Sequence, residues 1–222
     1  MTTAINPGVN GVYESLGLES FFDESGFSID LVAGTVANPA QNRVIYLSED
    51  IMRGIYEALL DETGPAWKTI LFNCGRIWGE RLCGRIDREM NDLCQNKMET
   101  LPLTAFLRFI ENYFAAHGWG KMEIDISLTE DYGIVRIVMR NSFFAQLLSD
   151  VDDYVDPIVA GTLASLFSYI SGHELGCLEI ASPNKGAENT EFVISSNSRL
   201  EAVEEDLEGG ASADEIVEKL MA

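Results

Sequence analysis

The chain has 222 residues, 46% of them hydrophobic, and carries 36 acidic against 15 basic side chains for a formal charge of −21. That length and apolar content suit one globular domain with a buried core, while the charge argues against nucleic acid and anionic lipid, since both present phosphate. No apolar run reaches the ~20 residues of a transmembrane segment, the start MTTAINPGVNG lacks the order of a secretory signal, and Cys74, Cys83, Cys94 and Cys177 form no Cys-x-x-Cys pair, so a cytoplasmic location is expected.

Residues 1–40 mix Gly, Pro, Asn and Asp with Leu16, Leu18, Phe21, Phe22 and Phe27. This pattern predicts an N-terminal arm that lays its aromatics on the domain or on a second subunit. The run VIYL at 44–47 predicts a short strand, and Ser48 with Ile51, Ile55, Leu59 and Leu60 predicts a capped amphipathic helix to about residue 61, broken at Gly64-Pro65. The longest helix is predicted over about 66–92, where Ile70, Cys74, Ile77, Trp78, Leu82 and Ile86 make one stripe. Gly75 and Gly79 lie beside that stripe, and because each glycine costs about 1 kcal/mol in a helix, close approach by another helix or a ligand explains them.

Residues 89–99 read as a polar loop, followed by an amphipathic helix whose Leu103, Phe106, Leu107, Phe109, Ile110, Tyr113 and Phe114 make a broad aromatic face ending at His117-Gly118. Residues 121–128 and 134–139 alternate around a turn at 130–133 and predict an antiparallel hairpin. After an apolar turn at Phe143, Phe144, Leu147 and Leu148, Asp156 is placed as an N-cap and Pro157 as the first residue of a helix. That helix is nearly apolar over 158–170, apart from Tyr169 and the hydroxyls of Thr162, Ser165 and Ser168, which places it inside the domain. Two further strand-like runs follow. The class predicted is α+β, an antiparallel sheet of four or five strands with helices packed on one face. From residue 199 an acidic C-terminal tail is expected, solvated or acting as a docking peptide, with Ser212 able to cap a short helix.

The Asn141-Ser142-Phe143 opening, Pro157 and Gly161 in the apolar helix, the Gly172 break and the close on Phe192 together resemble the 4-vinyl-reductase domain family over roughly 41–198. Gly75, Gly79 and Leu82 resemble the glycine-rich helix of that family and of its relatives, the TRAPP subunits of Golgi transport and the ligand-sensing domains of aromatic-responsive regulators. The resemblance implies handling of chlorophyll or its precursors, sensing of small apolar molecules, or a part in cyanobacterial photosystem II assembly. It also implies a zinc set in the sensor branch: a cysteine early in the central helix, Glu-x-x-Cys in the next strand, and a cysteine before the last. Here the corresponding places are read as Ile158 or Val159, residues 177–181 with Cys177 and Glu179 in reversed order, and Thr190, so no four-ligand metal site is expected.

No nucleophile triad, phosphate loop or dinucleotide fingerprint is present, so no catalytic residue is singled out. His117 reads as a helix-end cap and His173 as a turn residue, with axial ligation of a tetrapyrrole metal as the sharper alternative for His173. Following the resemblance, an apolar ligand such as chlorophyll, haem or another tetrapyrrole is expected between helices and sheet. The expected lining is Gly75, Trp78, Gly79, Leu82, Phe106, Phe109, Ile110, Phe114, Phe143, Leu147, Gly161, Leu163, Phe167 and His173. A homodimer, photosynthetic assembly proteins as partners, and peripheral contact with the photosynthetic membrane through such a partner complete the expectation. The alternative is a ligand-free dimeric scaffold.

Overall fold

A computed structural model describes residues 14–22 and 27–222. Three short strands, β1 (Ser28–Asp30), β2 (Thr35–Ala37) and β3 (Arg43–Val44), precede helices α1 (Glu49–Thr63), α2 (Trp67–Cys94) and α3 (Leu103–Ala116). Strands β4 (Lys121–Asp125) and β5 (Val135–Arg140) flank a helical turn, α4 (Thr129–Tyr132). The short α5 (Phe143–Leu147) and the apolar α6 (Pro157–Ser171) lead to β6 (Gly176–Ala181) and β7 (Thr190–Ser195), and α7 (Asn197–Glu208) and α8 (Ala213–Met221) complete the chain.

The fold is α+β, as its pattern predicts, with a four-stranded antiparallel sheet in the order β4-β5-β7-β6. Strand alternation divides its two faces. Phe192 and Ile194 of β7 join Ile137 and Met139 in the main core beneath α6, while Val193 between them joins Ile180 in a second core under α7 and α8. Helix α6 lies inside, pressed along α2, with Gly75, Gly79 and Gly161 at the crossing. Its hydroxyls are consumed there: Thr162 donates to Ile158 O at 2.7 Å and Ser165 donates to Arg76 O at 2.9 Å.

Several local expectations change. Of the run 44–47 only Val44 pairs in a strand, in the small β1-β2-β3 sheet, and Ile45 and Tyr46 beyond it are 71% and 72% exposed. Strand β4 stops at Asp125, whose carboxylate accepts the Ser127 N–H at 2.8 Å, and the hairpin turn is longer because α4 intervenes before Gly133 in the left-handed region. Within the 18–22 segment Leu18 and Phe21 are buried and the Phe21 ring meets Phe109 edge-on at 4.9 Å, whereas Phe27 is 42% exposed. Residues 1–13 and 23–26 of the arm lie outside the described residues.

The largest correction is at the C-terminus. In place of a solvated tail, Val203, Leu207, Ile216, Val217 and Leu220 are buried against the second face of the sheet. Ser212 does cap α8, with Glu215 closing a reciprocal capping box. Arg136 on β5 holds this layer from the sheet side, meeting Glu191 at 2.6 Å and Asp214 at 3.0 Å. The apolar edge expected to meet a partner meets the chain's own sheet.

Candidate functional site

Strand β6 is an outer strand of the sheet, so beyond it the two helical layers are not separated by a further strand. A cleft of about 460 Å³ lies there, between the start of α2, the start of α6, β6 itself and one side of α7. That size is within the range of small-molecule sites. Phe72, Pro157, Ala160, Leu178, Leu200 and Leu207 give it apolar walls.

The polar groups are unevenly placed. Glu201, Glu204 and Glu208 of α7 line the cleft, and burial together with the other two raises the pKa of Glu204. Lys68 is the only basic side chain in the lining among the described residues, and its ammonium is held 2.5 Å from Asp153. The ammonium groups of Lys68 and Lys185 lie 5.9 Å and 6.0 Å from the centre of the Tyr154 ring.

Glu179 also lines this cleft, and it belongs to a buried polar cluster. Asp156 is fully buried: Ser142 donates to its two carboxylate oxygens at 2.7 Å and 2.9 Å, and Thr190 donates at 3.2 Å. The backbone N–H of Asp156 in turn donates to Glu179 Oε2 at 2.8 Å. Asp156 therefore does not cap α6 with its side chain, as its position before Pro157 predicts, because the carboxylate is turned toward Ser142 and Thr190.

Two carboxyls side by side without solvent are not both ionised at ordinary cost. Burial raises the pKa of Asp156, against the hydroxyl bonds from Ser142 and Thr190. Burial and the Asp156 charge raise Glu179 well above the carboxylate range, against the Asp156 N–H and the nearby Ser182. Both carboxyls have donors that favour charge, and burial outweighs them at each, most strongly at Glu179. Glu179 is 6% exposed, and its second oxygen, Oε1, is without a hydrogen-bond partner among the described residues. Burial also pushes the Cys177 thiol well above its ordinary value, which disfavours the thiolate.

The residues expected to line a ligand are placed differently. Leu82, Phe106, Phe109, Ile110, Phe114, Leu147, Leu163 and Phe167 are buried in the main core, with Phe106 and Phe167 ring to ring at 6.0 Å, edge-on. Trp78 and Phe143 are partly buried against that core, Trp78 stacked on Trp119 at 4.9 Å. At Gly75, Gly79 and Gly161 the space is taken by the facing helix, which decides between the two alternatives posed for the α2 glycines. His173 stands apart from them all: it is exposed and lines a second cleft of about 400 Å³ with Tyr169 and Glu174.

Asp156, Glu179, Ser182 and Thr190 are absent from the sequence-derived set. A signal existed in Glu179-x-x-Ser182, which keeps the Glu-x-x-Cys spacing with a hydroxyl for the thiol. Reading Cys177 as the cysteine position shifts that register by five residues. Among the described residues no group of three or more His, Cys, Asp or Glu side chains is placed to hold a metal ion.

No protein-family model and no curated protein matches the sequence. Among solved structures, the phenol-responsive sensory domain of the transcription activator PoxR, determined with phenol, is similar at a TM-score of 0.65 and 13% identity, covering 92% of this chain and 98% of that one. This likeness shows a shared fold. A trafficking protein particle complex subunit 3 from Naegleria fowleri, covalently bound to palmitic acid, gives 0.49 at 15% identity over 66% of this chain and 93% of that one. A vinyl-4-reductase family protein from Methanocaldococcus jannaschii gives 0.46 at 13% identity over 88% and 98%.

Proposed function

We propose that the protein binds a small apolar molecule in the cleft beside β6, without chemistry of its own. The observation that carries this reading is the cleft of about 460 Å³ itself, with apolar walls from Phe72, Pro157, Ala160, Leu178, Leu200 and Leu207. The domain of similar fold that responds to phenol is in keeping with it. The test is a cleft-filling variant: Thr69, exposed on α2 at the cleft wall, replaced by Trp. A ligand identified by native mass spectrometry of the protein from its source, at a concentration of about 100 Kd, should stabilise the wild type by about 2.7 kcal/mol and leave Thr69→Trp unchanged. Equal stabilisation of both would place the ligand elsewhere.

A separate proposal, drawn from the resemblance and placed at the second cleft, is a tetrapyrrole carrier acting in the cytoplasm and reaching a photosynthetic membrane through an assembly partner. His173 at the second cleft is the feature in its favour. Added chlorophyll or haem should then shift its absorption with the wild type and not with His173→Ala. Among the described residues no helix is long and apolar enough to cross a membrane, so such contact would go through the partner.

A dimeric scaffold is the second reading, favoured by a run of exposed apolar residues at Ile29, Leu31, Val32, Ile45 and Tyr46. Light scattering at micromolar concentration tests it: a mass of one chain ends this reading.

A further inference from the structure

Resting on the dimeric reading, we propose that two copies of the chain join through the open edge of β3: residues 43–47 of one pair antiparallel with residues 43–47 of the other, about a two-fold axis at Ile45. The segment reads as a strand, with branched and aromatic side chains at Val44, Ile45 and Tyr46. Only its first two residues are paired, Arg43 with Ala37 and Val44 with Val36 of β2. Strand β3 is an outer strand of its small sheet, so the chain itself offers the other residues no partner strand.

The ladder decides which backbone groups face outward. Asn38 N–H donates to Asn42 O at 2.9 Å, so Asn42 and Val44 turn their backbone groups toward β2, while Arg43 and Ile45 turn theirs to the open side. The backbone of Ile45, Tyr46 and Leu47 makes no hydrogen bond among the described residues, and all three side chains are exposed. An apolar edge in this state is a template for another strand, and beyond Arg43 it carries neither the charge nor the proline that blunts such edges. It is also held in position: the side-chain amides of Asn38 and Asn42 donate to Oε1 of the buried Glu89 on α2, at 3.0 Å and 2.7 Å. The edge is therefore fixed in place before a partner arrives.

Charge points to a second copy as that partner. Each copy carries −21, and like charge opposes contact over most of its surface. Residues 31–48 are an exception, with no acidic side chain and Arg43 as their one charge. Arg43, Glu49 and Asp50 are exposed and form no ion pair among the described residues. With Ile45 on the axis, Arg43 of each copy lies opposite Leu47 of the other, two and three residues short of Glu49 and Asp50 where the other's α1 begins. The segment is self-complementary, apolar at its centre with a cation at one end and acids at the other.

The test combines mass and cross-linking of the full chain at micromolar concentration. Wild type should have the mass of two chains. Ile45→Pro, which removes the central N–H donor, should have the mass of one with an unchanged circular dichroism spectrum. Arg43→Glu, which sets acid against acid, should weaken the dimer by about 10-fold or more. Across a hydrogen-bonded antiparallel pair the Cα atoms lie about 5.5 Å apart, within the span of about 4.4–6.8 Å that a disulfide bridges. Ile45→Cys in a Cys74→Ser background should therefore link the two copies on mild oxidation, whereas Val32→Cys, fully exposed at the end of the β1–β2 turn, should not. A single-chain mass for the wild type overturns both this pairing and the dimeric reading, and leaves the edge to a strand of another protein. A dimer that persists in Ile45→Pro, or that links as readily through Val32→Cys, overturns the pairing and keeps the dimer.

Discussion

Gly161 and Phe72 face each other across the α2–α6 crossing so closely that a Cβ on Gly161 would lie 2.1 Å from the Phe72 carbonyl oxygen. On the opposite helix, a Cβ on Gly75 would lie 2.2 Å from the Ile158 carbonyl oxygen. Both obstacles are backbone, so neither helix can yield by turning a side chain.

Gly161→Ala and Gly75→Ala should therefore each destabilise the protein by about 3 kcal/mol or more, at the upper end of overpacking costs because two helices must separate. Gly54→Ala is the control: it lies within α1 with nothing inside 4 Å of its Cβ, and it should stabilise by about 0.5–1 kcal/mol. Urea denaturation of the three variants measures the contrast.

The buried carboxyl pair sets a pH dependence. Both folded-state values are raised above the unfolded ones, so the folded protein holds protons that the unfolded chain has released. Their contribution is complete below the ordinary carboxylate range, near pH 4, and is lost as pH rises toward the raised folded values, at about 1.4 kcal/mol for each unit of raised pKa. Glu179→Gln removes the titration while keeping the shape. Its stability relative to wild type should rise between pH 5 and pH 8, followed by thermal unfolding in matched buffers; a constant difference would mean that Glu179 is ionised throughout.

Ile216 is fully buried under the sheet. Ile216→Ala should cost about 2–5 kcal/mol, as for other core truncations, whereas Glu218→Ala on the exposed side of α8 should stay within about 0.5 kcal/mol. Were the C-terminal segment a solvated tail, both substitutions would be silent.

Glu208, Glu204 and Glu201 repel one another along α7. Replacing Glu204 with Gln should stabilise the free protein by a few tenths of a kcal/mol at low ionic strength, and the gain should shrink in 1 M salt, where screening acts within about 3 Å. Denaturant midpoints at two salt concentrations check it.

The sequence alone settled what depends on near neighbours. The 3.6-residue stripes place α1, α2 and α3, the apolar run after Pro157 places α6, the alternation places β4 and β5, and Gly64, Gly172 and Ser212 mark ends, because periodicity, caps and turns act within a helical turn or two. The inward position of α6 was legible for the same reason: it has no polar side to show water. Tertiary structure alone decided what depends on residues far apart in the chain. Asp156 reads locally as a cap, yet Ser142, Thr190 and Glu179, brought from an earlier turn and two strands, turn it into half of a buried acid pair. The aromatic face of α3 reads as core or as a ligand wall, and only packing against β4, the 18–22 segment and Phe167 of α6 fills it. The acidic end reads as solvated because its charge outweighs five apolar residues, until the second face of the sheet offers them a surface to cover. Burial is a property of what lies opposite, and no local pattern specifies that.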